Sequence, residues 1–192
     1  MRRLRTWFIA AGTCGGLLAG GILVFGLLDE RRNPAPAPQG VAIGQPTCLA
    51  PAVLSSLIPV PVLSPEPSVD PLPPPGTIPN DFHPTSAVVC EFMEYTADHG
   101  YAVVRQTSRI GNLTAVVEEL DRPSAKRPWF GECPTAATIP TPVVWLVNVE
   151  GNAVRVAFPV DGTCENPLPD AYRAIMNLTV QDEQIHKLPR SS

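Results

Sequence analysis

The sequence predicts an α+β protein: an N-terminal single transmembrane helix, a proline-rich stalk, and a small antiparallel sheet with helices on one face. Three observations point there. Residues 7–28 carry no charged side chain, proline is concentrated in 29–84, and beyond residue 85 alternating apolar runs interleave with stretches of helical spacing.

Residues 1–6 form a basic tail with Arg2, Arg3 and Arg5. The apolar run 7–28 that follows would be about 33 Å long as a helix, enough to cross a hydrocarbon core of about 30 Å once. Lipid offers the backbone no hydrogen bonds, so helix is the satisfied state there despite the glycines. Asp29, Glu30, Arg31 and Arg32 cancel in charge, so the arginine asymmetry places the N-terminus in the cytoplasm and the body outside. The alternative, a cleaved signal peptide, fits less well: the apolar stretch is long, and the A-x-A site at 35–37 is flanked by proline. Cys14 reads as a small apolar residue within the membrane. Gly16 and Gly20 form a GxxxG pair that permits a transmembrane homodimer, although a glycine-rich span matches that pattern by chance.

Residues 29–84 read as stalk and extended segment. Pro34-Ala35-Pro36-Ala37-Pro38 favours a semi-rigid polyproline spacer, and 59–84, with Pro73-Pro74-Pro75, has the composition of a chain that packs no core. P-x-x-P spacings are expected by accident in so proline-dense a region. Between the two stretches lies Cys48, followed by Val53, Leu54, Leu57 and Ile58, a short helical piece able to dock on the body.

The extracytoplasmic α+β domain is expected over 85–188, with 189–192 a tail. Residues 86–95 read as a strand with Val88, Cys90 and Phe92 on one face, and 101–109 as its partner across the Asp98-His99-Gly100 turn. Ile110, Leu113, Val116, Val117 and Leu120 follow helical spacing, with Asn112 placed to cap and Pro123 to stop the helix. Residues 142–149 are apolar enough for a central strand. Glu150-Gly151-Asn152 supplies a turn, and Val154, Val156, Phe158 and Val160 alternate as a half-exposed partner. Leu168, Tyr172, Ile175 and Met176 set a second helix that Asp170 can cap, and 178–188 is a closing extended piece.

Apart from Cys14 the chain has Cys48, Cys90, Cys133 and Cys164, an even number on the oxidising side of a membrane. Their spacings are too wide for paired zinc knuckles, so two disulfides are expected. Cys133 precedes the hairpin 142–160 and Cys164 follows it, which favours that pair. Cys90 on the inward face would then clip Cys48 to the sheet.

The stretch Ile78-Pro79-Asn80-Asp81-Phe82, then Val88-Val89-Cys90, Glu119-Leu120, Trp129, Cys133, Val144-Trp145-Leu146-Val147 and Phe158-Pro159-Val160-Asp161-Gly162 with Cys164 and Pro167 resembles a group of uncharacterised actinobacterial proteins. These also carry an apolar N-terminus and a proline-rich stretch. The resemblance implies an envelope protein and no activity. The group carries Asp-Gly or Asp-Ala directly before its last cysteine and Gly-Lys-Pro after it, whereas here Thr163 is inserted and Glu165-Asn166 replaces Gly-Lys.

A net charge of −4 over 192 residues, without a basic stripe, argues against nucleic acid as a partner. No hydrolase elbow, zincin, phosphate-loop or dinucleotide motif occurs, so no catalytic, cofactor-binding or metal-ligating residues are assigned and no cofactor is expected. His83, His99 and His186 read as solvated, and Glu118, Glu119 and Asp121 as a solvated helix face. Asp161 is the most suggestive acid, yet a carboxylate at such a turn usually accepts backbone N–H bonds. Trp129 and Phe130, beside Lys126 and Arg127, are candidates for an exposed interaction patch, or for packing on a cystine. The expected function is a non-enzymatic envelope domain that contacts another envelope protein. The alternatives are a small-molecule or peptide-binding module, and a hydrolytic or redox enzyme using Asp161 or a labile cystine.

Overall fold

The computed structural model describes residues 36–58, 71–96, 101–128, 133 and 141–189. The expected span 7–28, with Gly16 and Gly20, lies outside them. Among the described residues no helix is long and apolar enough to cross a membrane.

Among the described residues the body is α+β, a six-stranded antiparallel sheet with three helices. In chain order the elements are β1 (Ala42–Ile43), α1 (Pro51–Leu57), β2 (Pro84–Thr96), β3 (Tyr101–Ile110), α2 (Leu113–Leu120), β4 (Val143–Asn148), β5 (Ala153–Arg155), α3 (Pro169–Met176) and β6 (Thr179–Pro189). The strands lie side by side as β1-β5-β4-β2-β3-β6. Central β2 pairs with β3 on one side and with β4 on the other, setting Val89 opposite both Thr107 and Val144.

Strand alternation sends successive side chains to opposite faces, and both faces are covered. On one, Cys90, Val104, Val143 and Trp145 pack beneath Val53, Leu54 and Leu57 of α1. On the other, Ala87, Val89, Val144 and Leu146 pack against Leu113, Val116 and Leu120 of α2 and Ala171 and Ile175 of α3. The expectation of helices on one face therefore holds for α2 and α3 but not for α1. The reason lies in β4, whose apolar residues occur at every position from Val143 to Leu146, so each face presents a surface that needs cover.

The helices begin as local chemistry dictates. The Ala115 N–H donates to Oδ1 of Asn112 over 3.2 Å, satisfying a first-turn donor of α2. Asp170 does not cap α3: Leu168 holds the cap position, Pro169 starts the helix, and Asp170 sits in the first turn against Arg173 at 3.0 Å. The β4–β5 hairpin closes as expected, Asn148 Oδ1 accepting from Glu150 N at 3.1 Å and Asn152 N at 2.9 Å. Gly151 takes φ 83°, where only glycine is unstrained.

Body packing starts well before residue 85. Residues 36–40 and 71–78 run beside β5, with Gly40 N donating to Thr77 O at 2.8 Å and Gly76 N to Arg155 O at 3.0 Å. Proline lacks an N–H, but its carbonyl still accepts: Arg155 reaches the carbonyl of Pro73 at 3.0 Å. Composition suggested a spacer, but backbone carbonyls and the interspersed Gly40, Gly76 and Ile78 let this stretch join the sheet. The segment 178–188, expected as a short extended piece, forms long β6. β5 is shorter than expected, ending at Arg155; beyond it Val156 and Val160 make only isolated bridges, to Gly76 and Pro167.

Two cystines bind the layers. Cys48 and Cys90 lie 5.4 Å apart at Cα and are fully buried, and Cys133 and Cys164 lie 5.1 Å apart. The first fastens the approach to α1 onto β2. The Cys48 N–H adds a hydrogen bond to Oε1 of Gln106 at 2.9 Å.

Candidate functional site

Residues 78–85 lead into β2 past the start of α2, and a cleft of about 640 Å3 opens between them. Its floor is apolar, from Phe82, Leu113 and Val117, and its rim is polar, from Asn80, His83, Thr114 and Asp121. A second cleft of about 570 Å3 runs on past Leu120 and Ser124 to Gly76 and Phe158. Both are lined by Ile78, Asn80 and Asp121, so they adjoin as one groove. Ile78, Phe82, Val117 and Phe158 also pack against the core, which ties the groove floor to the sheet.

The groove escaped sequence reasoning because its lip comes from the proline-rich stretch, read there as spacer. The retrievable signal was Ile78 and Phe82, apolar residues spaced within that stretch. His83 and Asp121 are exposed, as expected, and line the groove at its rim. His186, read as solvated, is instead carried by β6 with its Nε2 buried and without a hydrogen-bond partner.

Asp161 is held by backbone donors. Its Oδ1 accepts from Thr163 N at 2.8 Å and Cys164 N at 2.6 Å, and its Oδ2 from Asn166 N at 3.1 Å. These bonds, that from Cys164 first, hold its pKa below the ordinary carboxylate value. Such an acid orders a turn. Gly162 is needed beside it, since a Cβ there would overlap the backbone carbonyl of Lys126. Glu165 completes the turn at φ 56° and pairs with Arg127 at 3.0 Å.

A second polar cluster, missed from sequence, lies where α3 meets the sheet. Glu91 accepts from Arg105 Nη2 at 2.8 Å and Nε at 3.1 Å, and from the Tyr172 hydroxyl at 3.3 Å. Burial, and then the Glu91 charge, push the Tyr172 phenol up from its ordinary pKa. Next to it Arg109 is buried, donating to Thr107 Oγ1 at 3.0 Å and to the carbonyls of Met176 at 2.9 Å and Leu178 at 3.3 Å. A cation on the last carbonyls of α3 complements the helix dipole.

Trp129 and Phe130 lie outside the described residues, as does His99. Among the described residues no group of three or more His, Cys, Asp or Glu side chains is placed to hold a metal ion. No protein family, curated protein or solved structure matches the chain.

Proposed function

We propose that this chain is a membrane-tethered extracytoplasmic protein, anchored through 7–28 with its N-terminus in the cytoplasm, whose body is a non-enzymatic interaction domain of the cell envelope. Its groove takes an extended polypeptide segment of another envelope protein. The observation that carries this reading is the groove itself: an elongated apolar floor with a polar rim, suited to side chains below and main chain above.

Two further observations support it. The hydrogen-bonded acids are engaged structurally: Asp161 orders a turn, Glu91 holds Arg105 and Tyr172, and Asp170 holds Arg173. Two cystines in a small body are at home on the oxidising side of a membrane. Kinship with the actinobacterial group is part of the proposal; Glu165, at a left-handed φ of 56°, stands where the resemblance implies glycine.

The test is a photo-crosslinking amino acid at Thr114 in the full chain, in the intact envelope. A discrete protein adduct is expected, abolished by Asn80→Trp, which fills the junction of the two clefts, and absent from a crosslinker at Ser55 on the far face. No adduct at Thr114, or one indifferent to Asn80→Trp, contradicts the reading.

A further inference from the structure

β6 borders the sheet, and ten of its eleven residues pair with β3 along one side, with Gln181 left out at a register shift. Among the described residues no strand lies along its other side. Alternate residues of an edge strand point their N–H and C=O groups outward, so a ready hydrogen-bonding ladder runs along β6 from Asp182 to Leu188, clear of the irregularity at Gln181. Side chains from Gln181 to Ile185 are exposed, so neither face of the strand obstructs an approach. Ile185 is 62% exposed, unusual for so large an apolar side chain at the middle of a strand.

The charges along β6 are ordered. Asp182 and Glu183 precede Ile185, and His186 and Lys187 follow it. Glu183, Ile185 and Lys187 alternate onto one face, beside Thr107, Arg105 and Val103 of β3. Arg105 reaches Glu183 at 3.8 Å, and the Lys187 ammonium stands 5.4 Å from the centre of the Tyr101 ring, so both charged groups have neighbours that favour defined positions at the edge.

We propose that β6 pairs antiparallel with β6 of a second copy of this chain, about a two-fold axis through Ile185. In that register Ile185 meets its own copy, and Glu183 meets Lys187 of the second copy twice, once on each side of the axis. An isolated lysine on an edge strand repels other strands. Here the lysine has its counter-charge at the matching distance on the same strand, which makes the edge self-complementary. Two copies of one strand match their outward-facing groups only when the axis passes through a residue. Moving the axis to Gln184 sets Glu183 against Ile185, moving it to His186 sets Lys187 against Ile185, and moving it to Glu183 sets acid on acid. Only the Ile185 axis joins apolar contact with both charge pairs. The pairing is independent of the groove and leaves it open.

The test measures the mass of the full chain in detergent micelles. The wild-type chain is expected to be a dimer, and Glu183→Lys and Lys187→Glu each weaken self-association roughly tenfold or more by placing like charges opposite one another twice. Mixing the two variants restores a dimer, a heterodimer in which each altered charge meets its opposite, a recovery that misfolded chains would not give. A monomeric wild-type chain, variants that dimerise as the wild type does (the behaviour of a dimer held by Gly16 and Gly20 alone), or a mixture that stays monomeric overturns the proposal.

Discussion

The main-chain amide of Cys164 donates to Oδ1 of Asp161 across 2.6 Å, so the residue that forms the second cystine is fixed by a carboxylate three positions earlier. With the bonds from Thr163 and Asn166, this turns 161–166 into a clasp around the disulfide. Asp161→Ala should cost about 1 kcal/mol, the usual loss when a side chain that caps backbone N–H groups is removed.

The same clasp gives a pH dependence of known sign. The folded-state pKa of Asp161 lies below the ordinary value of 3.8, so its stabilising contribution is complete above that value and is lost as pH falls through the lowered one. Melting temperature measured against pH should fall at the acid end in the wild type. In Asp161→Asn it should be lower at neutral pH and fall less steeply below pH 3.8. Parallel curves would show that Asp161 does not contribute this linkage.

Glycine at 162 and a left-handed residue at 165 make opposite predictions for two small substitutions. Gly162→Ala drives a Cβ into the Lys126 carbonyl and should destabilise the body by about 1–3 kcal/mol. Glu165→Gly relieves a left-handed φ and should stabilise it by about 1 kcal/mol, the exposed pair with Arg127 being worth little. Urea midpoints at unchanged slope check both.

The two cystines should be reduced in order. Cys133 is exposed, whereas Cys48 and Cys90 have no accessible surface. Timed alkylation after mild reduction should label Cys133 and Cys164 first, with Cys48 and Cys90 appearing only as the body unfolds. Replacing Cys48 and Cys90 with serine, which removes a link across 42 residues, should cost about 4 kcal/mol in the chain-entropy picture.

Arg109 tests the seam between α3 and the sheet. Arg109→Ala leaves the Met176 and Leu178 carbonyls short of a buried donor and should cost about 2–3 kcal/mol. Tyr172→Phe, which loses a single long and partly exposed hydrogen bond, should cost under about 1 kcal/mol. Equal effects from the two would mean the seam rests on packing and not on Arg109.

Strong local signals carried the sequence reading where it succeeded. Val88, Cys90 and Phe92 do share a face, Asn112 does cap α2, and the Asn148 to Asn152 turn closes a hairpin, because each depends on neighbours in the chain. The two cystines were inferred from strand faces and hairpin ends, which are also nearly local. What could not be read depends on distant partners. The carbonyl of Pro73 looks like spacer until Arg155 arrives from 82 positions away. The charged, polar run of β6 reads as an extended piece, but its place at the sheet border follows from an extensive pairing with β3. The groove inherits both difficulties: one lip is proline-rich chain, and the other is a helix whose acids looked merely solvated.

The location of the body and the state of its sulfurs are linked, since cystines persist on the oxidising side of a membrane. The deciding measurement is labelling of intact cells with a membrane-impermeant thiol reagent, before and after an impermeant reductant, followed by membrane fractionation. The chain should sediment with the membrane, resist labelling at Cys48, Cys90, Cys133 and Cys164, and gain label outside the cell once reduced. Recovery in the soluble cytosol with those four thiols free would contradict this placement.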